Sequence, residues 1–412
     1  MSVSHYASHA LAERALTGSV LERLAAVNPS TELWWDSSPL VFETWREQML
    51  AAAAPDDRPA LADELLRLWD PDRPEATLFR GVTTNPPLSL AALRDDPARW
   101  IAWLRAYRQS HSEADEEQAF WAVYKEVVRN GAAALTPLHE ASGYRYGHIS
   151  AQVDPRHLHD AGQMLTEAVD LARIAPNVMI KVPGTTEGMT VLQELTARGI
   201  ATNTTLAYTV SQFVAAAEHV QAGLLQARAA GVDLTHWRSV VTDMCVRWEN
   251  APEFDASAAE HGVELTPEDK RWGGVAIFKQ ALRVFRQRAY PSKMLLCSIR
   301  VGPEVDGVQR CWHIEHAAGA EAVFTLPPVF LTDFLHVCDG LSFQSRAAEP
   351  APPDRMAKLS AVPYFQAAHD PAGIPVEEFN DIPSLRSTAR EFGGATEKMV
   401  AFVRENLPAN RA

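Results

Sequence analysis

The run Val178-Met179-Ile180-Lys181-Val182-Pro183 sets one charged side chain in the middle of an apolar stretch. Its length and composition are those of a buried strand. An ammonium group there is costly to desolvate unless something compensates it. Burial lowers the pKa of a lysine, and the neutral amine that results is a nucleophile able to form a Schiff base with a carbonyl. A strand-end lysine that reaches water, or pairs with a carboxylate, is the plain structural alternative. The surrounding sequence decides between the two.

Similar short runs recur on both sides of this one. They predict strands near 32–36, 78–84, 147–153, 178–182, 200–206, 239–243, 293–298 and 321–325. Between them lie helical patterns at 157–174, 187–198, 209–230, 267–290 and 304–319. Strands alternating with helices imply a parallel sheet, and eight such units are the count of a closed (β/α)8 barrel. The rival is an open doubly wound sheet, but no G-x-G-x-x-G turn follows the first strand. The reading is therefore α/β, a single (β/α)8 TIM barrel over 1–412 with helical insertions and a C-terminal helix. Residues 91–146 are taken as a helical insertion and 346–412 as a C-terminal linker and helical tail, with 383–406 a helix able to pack across a barrel mouth. Trp100, Trp103 and Trp121 mark either packed insertion helices or an interface, so a homo-oligomer is compatible with the sequence.

Composition narrows the partners. The 412 residues carry a net charge of −14, which argues against nonspecific binding to nucleic acid or to anionic membranes. No apolar run approaches the roughly 20 residues that span a bilayer. Glu13, Arg14, Glu22 and Arg23 among alanines and leucines read as an amphipathic helix rather than a signal peptide. The cysteines Cys245, Cys297, Cys311 and Cys338 form no C-x-x-C pair, which fits a reducing cytoplasm.

In such a barrel chemistry gathers at the C-terminal ends of the strands. The predicted strands place Asp36, Asn85, Gln152, Lys181, Asn203, Thr205, Thr242, Ser298 and Arg300 at or just beyond those ends. Any one of them could be a capped loop, but a convergent polar ring is difficult to explain as packing.

The run Gly81-Val82-Thr83-Thr84-Asn85-Pro86 resembles the strand-two signature of the transaldolase family. Val178 to Met189, with Lys181 and then Gly184-Thr185-Thr186-Glu187-Gly188, resembles that family's Schiff-base lysine signature. Gly199-Ile200 followed by Asn203-Thr204-Thr205-Leu206 is similar to its strand-five segment, and the likeness runs from about Trp34 to the eighth predicted strand. The resemblance implies a sugar phosphate as substrate and no cofactor. It implies that Lys181 attacks the C2 carbonyl of a ketose and that Asp36 takes the C4 hydroxyl proton. Cleavage between C3 and C4 would leave a dihydroxyacetone unit on Lys181 as an enamine. Asn85 and Asn203, with Thr84, Thr242 and Ser298 nearby, would hold the donor. Thr205 would position a water, and Arg247 and Arg300 would grip the phosphate, for which guanidinium is suited.

Two positions depart from the family's usual pattern. Strand three ordinarily ends in a proton-shuttling glutamate, whereas this chain has Gln152, which can orient a water but not take a proton. The fructose 6-phosphate aldolase branch resembles this chain there, in a similar Ala-Gln-Val context, but it has a tyrosine on strand six where this chain has Met244. Tyr208 either supplies a hydroxyl or packs, and Asp154 is expected to cap the following loop with Pro155. The pairs His157/His159 and His313/His316 lack a full ligand set, so they read as solvated helix faces and no metal is expected. The readings that remain are a transaldolase, a Schiff-base aldolase of the same fold, a relative acting on an unusual sugar in a biosynthetic pathway, and a catalytically silent barrel.

Overall fold

A computed structural model describes residues 18–338 and 340–408. Glu13 and Arg14 lie outside that range, while Glu22 and Arg23 sit on the helix Val20–Ala26, closed by a Ser19/Glu22 capping box. All eight predicted strands form: β1 (Glu32–Trp35), β2 (Phe79–Thr83), β3 (His148–Gln152), β4 (Val178–Pro183), β5 (Thr202–Thr205), β6 (Ser239–Asp243), β7 (Lys293–Leu296) and β8 (Val323–Leu326). Each pairs in parallel with the next, and β8 closes on β1 through Glu32–Val323 to Trp35–Leu326. This is the expected (β/α)8 barrel.

Strand alternation explains how the barrel fills. Residues 32, 34 and 36 of the first strand point inward. Trp34 plugs the middle and donates its indole N–H to Glu32 at 3.0 Å. A Cβ at Gly81 would lie 2.6 Å from the Trp34 ring, so only glycine leaves room for it. The other parity points outward, where Trp35 packs edge-on against Phe42 at 5.1 Å.

Most predicted helices form, with shifted ends. Residues 187–198 and 209–230 become Thr186–Ala197 and Val210–Ala229, and 267–290 becomes Pro267–Arg288. The pattern at 157–174 splits into a 3-10 turn, Pro155–His157, and a helix, Ala161–Ala172. Asp154 caps that turn, accepting from the Arg156 N–H, as expected. The helix over 304–319 does not form. Asp306 and Gly307 both have positive φ, 53° and 75°, and turn the short hairpin Glu304–Val305/Val308–Gln309. Asp-Gly is a strong hairpin signal, and it wins over the apolar spacing around it. Only Trp312–Ala317 is helical there.

Residues 91–146 contribute the helices Pro97–Ser110 and Glu116–Ala141. Trp100 is buried and Trp121 donates to Asp170 at 2.7 Å, so both belong to intramolecular packing. Within the tail, the helices Pro353–Leu359 and Pro363–His369 follow the loop at 346–352. Arg355 anchors the first of them to buried Asp269 at 2.6 Å. The last helix, Pro383–Asn406, packs on Pro86–Asp95, on Glu116–Ala141 and on the 3-10 turn after β3. It therefore lies at the C-terminal ends of the strands.

The opposite end of the barrel is tied by charge. Buried Glu32 meets Arg238 at 2.6 Å and Lys293 at 2.8 Å. Burial alone would raise the Glu32 pKa, but the two cations outweigh it and hold the carboxyl at about 2. Its folded pKa lies below its unfolded value. The pair's contribution is thus complete above about pH 5 and lost as pH falls through 4.5 towards about 2. Glu32→Gln is expected to cost about 3 kcal/mol at pH 7 in urea unfolding, since two partly buried cations lose their charged partner. It should also flatten the acid limb of stability between pH 5 and 2. A loss under about 0.5 kcal/mol would contradict this assignment.

Candidate active site

Lys181 occupies the middle of β4, in register with Gln152 on β3 and Asn203 on β5. Three adjacent strands thus present inward polar side chains at one level. All three are buried, and Lys181 is only 4 % exposed. The Lys181 amine donates to the Thr84 carbonyl oxygen at 3.2 Å. Burial pushes its pKa below the usual lysine value, while the Asp36 carboxylate pulls the other way. Asp36, just past β1, shows the mirror effect. Burial raises its pKa, and the Lys181 cation, the Thr83 hydroxyl and Arg247 oppose the rise. The two shifts narrow the gap between the pair's pKa values, which favours proton exchange between them.

The surrounding polar groups hold one another in place. Thr83 donates to Asp36 at 2.6 Å and accepts from Thr325 on β8. Asn203 donates to Ser150 at 2.9 Å and accepts from Thr242 at 2.7 Å. Thr205 points at the Met244 sulfur, 3.8 Å away. The Thr84 hydroxyl donates to the Ser150 carbonyl. Asn85 caps the helix Pro86–Asp95, accepting the Leu88 N–H at 3.0 Å, which leaves its amide N–H groups free to donate. Gln152 differs from its neighbours, because its buried Oε1 has no partner. An unpaired acceptor beside the amine suits a water or a substrate hydroxyl.

Local sequence fixes the loop after β4. Thr185 caps the helix Thr186–Ala197 by accepting the Gly188 N–H at 3.0 Å. A Cβ at Gly188 would fall 1.9 Å from the Pro183 carbonyl oxygen, so glycine is required where this helix folds back on the strand end.

The two arginines stand apart in environment. Arg247 makes a two-point ion pair with Glu391 of the C-terminal helix, at 2.6 and 2.9 Å, and lies over the Phe392 ring. Arg300 is exposed on the rim and donates to the Ile299 carbonyl at 2.9 Å. It makes no ion pair among the described residues. Ser298 adopts a positive φ of 59°, which turns the chain out of β7 towards Arg300. Tyr208 is buried and donates to Thr388 at 2.8 Å, so its hydroxyl serves to dock the C-terminal helix.

Sequence reasoning missed Thr83, Ser150, Thr325 and Glu391. Ser150 and Gln152 share a face of β3 by simple alternation, which was the available signal. Nothing local marks Glu391, which arrives from the far end of the chain. The histidine reading needs correction. His157 does lie on a partly exposed face and bonds Glu167 at 2.6 Å. His313, however, is fully buried and bonds buried Glu249 at 2.7 Å, because its helix packs inward beside Pro267–Arg288. A cleft of about 1120 Å³ opens at the Glu32–Arg238–Lys293 end and contains none of the residues grouped around Lys181.

The charge coupling within the pair is measurable. Asp36→Asn removes the carboxylate that stabilises the Lys181 ammonium, so the Lys181 pKa should fall further. The pH dependence of Lys181 carbamylation by cyanate, followed by peptide mass mapping, is expected to shift to lower pH in this variant. An unchanged or upward shift would show that the two groups are not coupled.

Residues 72–362 match the family described as Transaldolase/Fructose-6-phosphate aldolase, well over half of the chain. Among curated proteins, Transaldolase 1 of Streptomyces avermitilis is 32 % identical over 191 residues, covering 45 % of this chain and 48 % of that protein. The transaldolase of Thiobacillus denitrificans is 31 % identical over 264 residues, covering 60 % of this chain and 71 % of that protein. That of Mycolicibacterium smegmatis is 30 % identical over 209 residues, covering 50 % and 55 %. The chain thus spans about half the length of several of the relatives it matches. With the closed barrel and the strand-four lysine, the match places the chain in the transaldolase/fructose-6-phosphate aldolase family.

Proposed function

We propose that the protein is a transaldolase-type transferase that moves a dihydroxyacetone unit from a ketose phosphate to an aldose phosphate. The observation that carries this reading is the buried Lys181 amine, its pKa lowered, sharing one dry pocket with Asp36. The neutral amine adds to the C2 carbonyl of the ketose, and loss of water gives an iminium. Asp36 takes the C4 hydroxyl proton, the C3–C4 bond breaks, and its electron pair moves into the iminium to form an enamine. An aldose phosphate departs. The enamine then attacks the aldehyde carbon of the acceptor, Asp36 returns the proton to the new alkoxide, and water releases the product ketose. The iminium is the electron sink throughout.

The other side chains fall into positions that fit this sequence. Asn203, held between Ser150 and Thr242, and Asn85, held by its capping bond, offer amide groups to the donor hydroxyls. Thr84 and Ser298 border the same opening. Gln152 and Thr205 orient water rather than carry a proton. Arg247 and Arg300 would take the phosphate, which at Arg247 competes with the Glu391 carboxylate. This chemistry belongs to soluble sugar-phosphate metabolism of the pentose phosphate type in the cytoplasm. Among the described residues no helix is long and apolar enough to cross a membrane.

A second reading, a Schiff-base aldolase releasing free dihydroxyacetone, is favoured by Gln152, since a residue that cannot shuttle protons could slow transfer. The readings separate when fructose 6-phosphate is incubated with and without erythrose 4-phosphate. Strict dependence on the acceptor, with loss of at least about 1000-fold in Lys181→Ala, is expected for the transferase. Cleavage of donor alone would establish the aldolase. Gln152→Glu should increase transfer if proton shuttling limits it, and no gain would refute that limitation.

A further inference from the structure

Asp243 ends β6 on the parity opposite to Thr242. Thr242 points into the barrel towards Asn203, so Asp243 points outward, beneath the surrounding helices. There it meets a buried polar cluster that the sugar chemistry does not use. Cys245 and Glu249 are the first and last residues of a five-residue helix and share one face at i, i+4. His313 comes from the helix Trp312–Ala317 and bonds Glu249 through Nε2 at 2.7 Å. Asp243, Cys245, Glu249 and His313 are each no more than 5 % exposed. Helix Pro267–Arg288 walls the cluster so closely that a Cβ at Gly274 would lie 2.1 Å from Glu249 Oε1.

Hydrogen bonding within the protein leaves part of this cluster unsatisfied, although the Cys245 thiol donates to the Cys297 carbonyl oxygen at 3.4 Å. Both Asp243 carboxylate oxygens and His313 Nδ1 are buried without a partner. A buried polar atom left without a partner is costly. No lysine or arginine pairs with Asp243 or Glu249 among the described residues. The ligand atoms of Cys245, Glu249 and His313 lie within 4.8 Å of one another. In a tetrahedral site with bonds of about 2.0–2.3 Å, ligand atoms stand roughly 3.3–3.7 Å apart, so closure takes shifts of about 1 Å.

We propose that Cys245, Glu249 and His313 bind one divalent transition-metal ion of the zinc class. The mixed thiolate, carboxylate and imidazole set suits zinc or cobalt(II) rather than magnesium or calcium. On binding, the Cys245 S–H bond breaks, a sulfur–metal bond forms and the proton leaves to solvent. One thiolate and one carboxylate then balance the two positive charges, and a water fills the fourth position. The ion lies on the outer side of the barrel wall from Lys181 and takes no part in Schiff-base chemistry. It ties the helix that carries Arg247 to the helix Trp312–Ala317. The sequence hides the site because two ligands come from residues 245–249 and the third from residue 313.

The test uses untagged wild-type protein, stripped with a chelator and titrated with cobalt(II). Visible ligand-field bands and a thiolate-to-cobalt charge-transfer band are expected to saturate at one ion per chain, with a rise in Tm. The charge-transfer band should vanish in Cys245→Ser and persist in Cys311→Ser, while His313→Gln should weaken binding by 10-fold or more. Absence of a saturable band on the wild-type protein overturns the proposal without recourse to any variant. A band that survives Cys245→Ser assigns the ion to another thiol and overturns it equally.

Discussion

The structure turns on keeping a primary amine dry inside a barrel without surrendering it to a strong permanent partner. Most buried lysines are neutralised by a carboxylate held at contact distance. Lys181 instead has a single weak acceptor, the Thr84 carbonyl, and feels Asp36 through charge. Such an amine stays available as a nucleophile. The polar residues around it make this workable because they satisfy one another: Ser150, Asn203 and Thr242 form one chain of bonds, and Thr325, Thr83 and Asp36 another. Each chain crosses strands, so the barrel itself holds the groups in position.

The same architecture explains the division of labour between the two barrel ends. Glu32, Arg238 and Lys293 form a closed charge cluster at one end, and Trp34 seals the interior above it. The polar groups around Lys181 lie at the other end, where the C-terminal helix packs. That helix is bound through Thr388 to Tyr208 and through Glu391 to Arg247. Arg247 thus already has a carboxylate partner, whereas Arg300 on the rim makes no ion pair among the described residues.

Much of this was legible in the sequence, for physical reasons. Buried strands of a parallel barrel are short apolar runs, so eight of them could be counted. Polar residues converging at the ends of neighbouring strands are difficult to explain as packing, so Asp36, Gln152, Lys181 and Asn203 could be picked out as candidates. Three features were not legible. The hairpin at 304–309 hid within apparent helical spacing, although Asp306-Gly307 announced a turn. The burial of His313 depends on how its short helix meets Pro267–Arg288, which local pattern does not encode. The Glu391–Arg247 pair joins residues 144 positions apart, and a helical glutamate on a charged face carries no mark of its partner.

The most direct test of the account is intact mass and peptide mapping after borohydride reduction in the presence of fructose 6-phosphate. The account predicts a stable three-carbon or six-carbon adduct, one per chain, mapped to Lys181 and absent from Lys181→Ala. An adduct on other lysines only, or none with this donor and a panel of other ketose phosphates, would contradict a Schiff-base role for Lys181.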